Sequence, residues 1–175
     1  INAAVEADGL KFAPDPAWRD KSALGGAIGN NSTGSHSLKY GKTDHYIEEL
    51  EVVLADGTVT TFGTVTIEEL RTAADPDAED LLPRIHAEIV RIIDEEADEI
   101  DKRFPEMKRN VSGYNLDRLL AEYRGDYGEP GEVNLGRLLA GSEGTLATIT
   151  EATVSLVPIP ETKAIALLTY NDIMD

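Results

Sequence analysis

Residues 48–55 alternate and then run apolar, with Leu50, Val52, Val53 and Leu54 inside the stretch; Asp56-Gly57 supplies a turn and residues 58–63 return. An Asp-Gly pair between two extended runs is the strongest short-range signal for a β-hairpin, because its turn needs positive φ. No other segment constrains the fold as much. A second extended run, residues 145–157, is rich in Thr, Ile and Val; Pro158 and Pro160 stop it, and residues 164–170 read as the start of another strand. Between these runs, residues 66–103 read as helical, opening on the capping-box pattern Thr66-x-x-Glu69 ahead of Leu70. Two shorter helical candidates follow, residues 116–123 and 135–140. There is no internal repeat. Strands at both ends and helices between them predict an α+β chain, a mainly antiparallel sheet flanked by helices, with an acidic helical insertion.

That insertion carries much of the charge. The chain has 33 acids against 16 bases, a formal charge of −17. Residues 75–101 hold eleven of those acids and only Arg84 and Arg91. Their apolar residues, Leu82, Ile85, Ile89, Ile92, Ile93 and Ile100, fall on one face of a helix, so the acids are its solvated side. Asp75-Pro76-Asp77 is expected to open it, with a cap and a first-turn proline. Asp94, Glu95, Asp98, Glu99 and Asp101 lack the glycine-turn pattern of a calcium loop, and no metal ligands are expected. A global acid excess is what a protein of a high-salt cytoplasm shows.

Composition narrows the function. A nucleic-acid binder needs a basic face, which this chain lacks. Zero cysteines exclude disulfides, thiolate metal sites and iron–sulfur ligation within the chain. No apolar run approaches the roughly 18–20 residues of a membrane span, and no signal peptide opens the sequence, so a cytoplasmic location is expected. The sequence starts at Ile1 in mid-pattern and reads as a piece of something longer.

Two segments hold more glycine than packing requires. In the first, Pro14-Asp15-Pro16 precedes Ser22-Ala23-Leu24-Gly25-Gly26-Ala27-Ile28-Gly29-Asn30-Asn31-Ser32-Thr33-Gly34 and Tyr40-Gly41-Lys42-Thr43; the second is Gly141-Ser142-Glu143-Gly144-Thr145. Glycine lets a backbone approach a flat or anionic ligand and turn N–H groups toward it. Each glycine alone reads better as part of a turn-rich surface loop than as a ligand contact. Three familiar motifs fail here. Gly41-Lys42-Thr43 ends like a phosphate-binding loop, but the glycine required five residues earlier is His36. Residues 25–29 lack Rossmann spacing. Residues 140–144 resemble a nucleophile elbow running the wrong way, from helix into strand, so no catalytic residue is assigned. Of the three histidines, His36 sits in the glycine-rich block and could touch a ligand, while His86 falls inside the acidic helix.

Taken together the motifs resemble a known family. Pro14-Asp15-Pro16, Leu24-Gly25-Gly26-x-Ile28-x-Asn30-Asn31-Ser32-x-Gly34-Ser35, Tyr40-Gly41, the hairpin Glu51-Val52-Val53-Leu54-Ala55-Asp56-Gly57 and Gly141-Ser142-Glu143-Gly144-Thr145-Leu146 to Ile149-Thr150-Glu151-Ala152 occur in this order in the FAD-binding domain of the vanillyl-alcohol oxidase/p-cresol methylhydroxylase superfamily. The branch they resemble is that of the D-2-hydroxyacid (D-lactate, glycolate, D-2-hydroxyglutarate) dehydrogenases. Arg109-Asn110-Val111-Ser112-Gly113-Tyr114-Asn115-Leu116 is similar to the long members fused to an iron–sulfur domain, with residues 117–134 as a further insertion.

The resemblance implies a second FAD subdomain over residues 1–163 and the start of a substrate cap over 164–175. It implies FAD contacts at Asp15, Ser22, Ala23, Gly25, Gly26, Asn30, Asn31, Ser32, Gly34, Tyr40, Glu143, Gly144, Thr145 and Ile149. Two positions depart from the family pattern: Ala23 stands where Thr is usual and Ala147 where Gly is expected. The implied reaction is oxidation of a small D-2-hydroxy acid by hydride transfer to flavin N5. Electrons would pass to a downstream acceptor, by way of iron–sulfur clusters outside this chain. The metal-binding histidines and acid–base residue of the cap would lie outside it too, so no turnover is expected from these residues alone. Alternative readings are another reaction of the same superfamily, such as an alkylglycerone-phosphate synthase-like enzyme or a sugar oxidase, and a flavin-free scaffold subunit.

Overall fold

The computed structural model describes residues 1–16, 21–105, 107, 110–111, 113–162 and 164–165. In chain order the elements are α1 (Asn2–Val5), β1 (Leu10–Lys11), α2 (Leu24–Gly29), α3 (Ser37–Tyr40), β2 (Ile47–Val53), β3 (Val59–Phe62), β4 (Thr64–Thr66), α4 (Ile67–Ala73), α5 (Leu81–Glu95), α6 (Ala97–Arg103), α7 (Leu116–Tyr123), β5 (Glu132–Asn134), α8 (Leu135–Leu138), β6 (Thr148–Val154) and β7 (Val157–Pro158). The fold is α+β, and every strand pairing among the described residues is antiparallel.

The hairpin forms as its sequence requires. β2 pairs with β3 from Leu50↔Phe62 to Val53↔Val59 across the Asp56-Gly57 turn, and with β6 on its other edge, giving the order β3-β2-β6. Ile47, Leu50 and Val52 are buried while Glu48, Glu49 and Glu51 are exposed. Positions 47 and 50 would face opposite ways in a regular strand. A register shift between Ile47 and Glu49 restores them to one face, and a second lies between Glu51 and Val52. Phe62, Ile67 and Leu70, Ile89 and Ile93 of α5, Leu119, Val133, Leu135 and Leu139 complete the core against that face.

The helical stretch 66–103 is broken twice. The capping box at Thr66 and Glu69 is present, with both reciprocal bonds made. However, α4 ends at Ala73, and Asp75-Pro76-Asp77 lies in the connection rather than in a helix start. The Asp75 carboxylate accepts the Asp77 N–H at 3.0 Å, a local turn that competes with the helix. The helix starts at Leu81 after Asp80, and its first-turn proline is Pro83. A second break at Glu96 separates α5 from α6. The acidic face is laced with arginine: Arg71 grips Asp94 with two bonds of 2.6 and 2.8 Å, Arg91 reaches Glu88, Glu95 and Glu96, and Arg124 forks onto Asp101.

The final extended run also divides. β6 ends at Val154, and Pro158 sits inside the two-residue β7 paired with β1, so it does not terminate the run. Ala164 and Ile165 belong to no strand, and the rest of the strand expected over 164–170, with the cap boundary at 164–175, lies outside the described residues. No helix among the described residues is long and apolar enough to cross a membrane.

Candidate functional site

The two glycine-rich segments, more than a hundred positions apart, lie against one another. The Gly141 N–H donates to the Ile28 carbonyl at 3.0 Å, and the Glu143 N–H to the Gly29 carbonyl at 2.8 Å. Both segments turn through left-handed backbone at the junction, with φ of 47° at Asn31, 52° at Glu143 and 87° at Gly141. A Cβ on Gly141 would stand 2.9 Å from the Gly113 carbonyl, so the third strand of chain at this junction is held by close backbone approach.

A groove of about 690 Å³ opens there, lined by Asn30, Asn31, Ser32 and Thr33 on one side and by Ser142, Glu143 and Thr145 on the other. Val111, Gly113 and Tyr114 close its end, and the Tyr114 hydroxyl stands 3.1 Å from Thr145 Oγ1. The Thr145 hydroxyl also donates to the Ser142 carbonyl at 2.6 Å. The volume is that of a small-molecule pocket, roughly 300–1,000 Å³.

Asn31 is fully buried, with its carboxamide turned inward. Its Oδ1 accepts the Asp44 N–H at 3.0 Å, and its Nδ2 donates to Asn115 at 3.4 Å. Asn115 in turn donates to the Arg137 carbonyl at 3.1 Å and to Asp44 Oδ2 at 3.4 Å. Asn115 precedes α7 but makes no side-chain cap, because its amide is spent on this network. Lys42 Nζ donates to the Asn110 carbonyl at 2.9 Å and stands 3.5 Å from the buried Asp44 carboxylate. The floor of the groove is therefore a polar core tying the first glycine-rich segment to the segment before α7.

The other expected contacts are distributed around α2. Its first intrahelical bond runs from Ala27 N–H to Ala23 carbonyl at 3.0 Å, so the helix makes no use of the N–H groups of Gly25 and Gly26. A Cβ on either glycine would meet nothing within 4 Å. Ser22, Ala23 and Leu24 line a second cavity of about 610 Å³ at this end, while Asn30 and Asn31 follow the other end; α2 itself spans about 9 Å. Gly34 passes so close to Asp15 that a Cβ would overlap the Asp15 carbonyl. Asp15 and Tyr40 line a third cavity, Gly144 lies in the turn beside the groove, and Ile149 pairs with Val52 and packs against the core, away from the groove. Asp44 carries no motif of its own, and Asn115 falls in the Arg109–Leu116 segment but not among the expected FAD contacts.

Gly41, with φ of 73°, has the His45 ring packed where a Cβ would be. Burial pushes His45 below its ordinary 6.5, outweighing the opposite pull of Asp44; Arg118, Lys42 and Arg137 push it the same way as burial. Burial also lowers His86 on α5, against a smaller pull from the Ala73 backbone. For both, the unfolded chain takes up its proton first as pH falls, so their contribution to stability is complete above about 6.5 and is lost as pH falls through the folded values. The urea midpoint is expected to drop between about pH 7.5 and about pH 5.5, and the double variant His45→Gln/His86→Gln to flatten that drop. A midpoint that holds steady in the unmodified chain would refute this.

Residues 1–63 match a protein family described as "FAD binding domain". The chain is 30% identical over 98% of its length to "D-2-hydroxyglutarate dehydrogenase" of Haemophilus influenzae, and 33% identical over 97% to "Glycolate oxidase subunit GlcD" of Bacillus subtilis. It is 30% identical over 86% of its length to "D-lactate dehydrogenase" of Archaeoglobus fulgidus. It spans 16%, 23% and 20% of these three relatives. The family resemblance read from the ordered motifs is borne out by these matches.

Proposed function

We propose, from the premise that this chain is FAD-binding-domain sequence resembling the D-2-hydroxyacid dehydrogenase branch, that it forms one wall of the flavin site in a larger oxidoreductase. The observation that supports this best is the contact between the two glycine-rich segments, which leaves an open groove beside Asn30–Asn31 and clear space over Gly25 and Gly26. Flat and anionic ligands need such backbone-lined approaches, and the fit extends to both ends of α2.

In this reading Gly25, Gly26, Asn30, Ser32, Gly34, Glu143 and Gly144 offer backbone to FAD, with Asp15, Ser22, Tyr40, Thr145 and Ile149 nearby. Ala23 is the extended residue capping α2 without a side-chain bond, so its place is filled by backbone alone. Asn31, Asp44 and Asn115 hold the loop from beneath. The chemistry a bound FAD supplies is acceptance of hydride at N5 from C2–H of a small D-2-hydroxy acid, the electrons then going to a downstream acceptor. Residues 1–163 form the second part of the FAD domain and 164–175 lead into the substrate-binding part; residues 1–175 alone give no turnover.

The test is flavin retention by the whole protein after gel filtration in the presence of FAD. The visible flavin spectrum is expected to co-elute with the protein. Gly26→Leu, whose side chain enters space that is open without ligand, is expected to cut FAD affinity at least tenfold with an unchanged circular dichroism spectrum. Protein that never retains flavin would sink the reading.

A further inference from the structure

Asp44 is fully buried, yet its Oδ1 has no hydrogen-bond partner among the described residues. Its Oδ2 carries the ties instead, and both are long. Asn115 Nδ2 stands at 3.4 Å and Lys42 Nζ at 3.5 Å, beyond the usual range of about 2.7–3.2 Å. Beside the idle oxygen is His45, whose Nε2 lies 3.8 Å away, too far for a hydrogen bond. An orphaned oxygen on a buried carboxylate calls for an explanation. This one can exchange partners by turning the carboxylate about its own axis.

The His45 ring is held in place and open to protons. It packs on Gly41, and the Tyr127 ring lies across it with centroids 6.2 Å apart. The His45 side chain keeps 36% of its surface exposed, whereas Asp44 has none. The charged groups that bear on the ring are Asp44 and Lys42 from its own segment, Arg118 from α7 and Arg137 from α8. Both arginines already share Glu122, and the Arg118 guanidinium lies 3.5 Å from the Tyr127 centroid. Partial burial and the three cations hold the ring below its ordinary 6.5, so it gains a proton only in acid. A proton on the ring meets one counter-charge, Asp44, and that carboxylate has an oxygen to spare.

We propose that His45 and Asp44 form a proton-operated latch on the floor of the groove. With the ring neutral, Asp44 Oδ2 holds Asn115; with the ring protonated, the carboxylate turns to pair with Nε2–H and lets Asn115 go. The element that switches is this carboxylate, biased by one charge on its neighbour. The change reaches the groove through Asn31, which lines it. Asn31 Oδ1 accepts the Asp44 N–H at 3.0 Å, and its Nδ2 donates to Asn115 at 3.4 Å. Acid thus loosens the tie between residues 31–44 and the segment before α7 within the folded state, apart from its effect on global stability. The latch uses only the protein's own side chains, so it stands or falls separately from the flavin reading.

The experiment is an NMR titration of the isotope-labelled 175-residue chain from about pH 7.5 to about pH 5. The Asn115 side-chain amide is expected to shift at the same midpoint as the His45 ring. Hydrogen exchange of the Asp44 N–H, corrected for the intrinsic effect of pH, is expected to quicken about fivefold or more across that midpoint. His45→Gln cannot take the proton and is expected to abolish both responses, while His86→Gln is expected to leave both in place. An Asn115 amide that ignores the His45 midpoint, or a response that persists in His45→Gln, overturns the proposal. The first of these outcomes is read on the unmodified chain alone, whether or not His45→Gln folds.

Discussion

Replacing Glu122 with alanine is expected to destabilise the protein by about 3–5 kcal/mol, the usual cost of stripping one partner from a buried ion cluster. Glu122 is 5% exposed and serves three donors. Its Oε1 accepts from Arg118 Nε at 2.9 Å and Arg137 Nη1 at 2.8 Å, and its Oε2 from the Asn134 N–H at 2.8 Å. Without it two guanidinium groups are left in the interior, and Arg118 already has a buried Nη1 with no partner and leans on the Tyr127 ring at 3.5 Å. The damage would reach the groove, because Arg137 also donates to the Ile47 carbonyl at 2.9 Å and its own carbonyl receives Asn115. Glu122→Gln keeps an acceptor but loses the charge, so it is expected to fall between the two. Urea unfolding followed by circular dichroism measures all three proteins; a loss below about 1 kcal/mol for the alanine variant would show the cluster to be no better than a surface pair.

Gly34→Ala is the second large effect. A methyl group there would overlap the Asp15 carbonyl and crowd Pro16 N at 3.1 Å, and because these are backbone atoms, no rotamer relieves the clash. The two segments must separate, at about 3 kcal/mol or more. Gly26→Ala is the contrasting case. The added methyl meets nothing within 4 Å, and the residue is already helical, so stability should hold or rise by about 0.4–1 kcal/mol. Thermal melts of the two variants side by side decide the matter, and similar melting temperatures would contradict the crossing of Asp15 and Gly34.

That contrast marks what a sequence can show. Gly26 and Gly34 sit in one glycine-rich block and look alike in it; only the passage of Asp15 against one of them tells them apart. The hairpin was legible because Asp56-Gly57 and its flanking runs are local chemistry. The capping box at Thr66 was legible for the same reason. The start of α5 at Leu81 was not, since Asp75-Pro76-Asp77 reads as a cap and first-turn proline while the Asp75 carboxylate instead closes a local turn. In the candidate site, the two glycine-rich segments announced themselves by composition. Asp44 and the Arg118–Glu122–Arg137 cluster did not, because their partners lie up to 90 positions away along the chain. The register shift that turns both Ile47 and Leu50 inward is likewise a property of the pairing with β6 and not of β2 alone.

That pairing also sets an order of events. β2 meets β3 across a tight turn, a closure of microseconds. It meets β6 only after the chain has closed a loop of nearly a hundred residues, a search whose entropy must be spent before any contact offsets it. Gly141–Thr145 lies immediately before β6 and is carried into place with it. The groove is thus absent from any nascent chain in which residues 141–145 have not yet emerged, and a ligand that bridges its two walls would act as a clamp on a contact that closes a loop of more than a hundred residues.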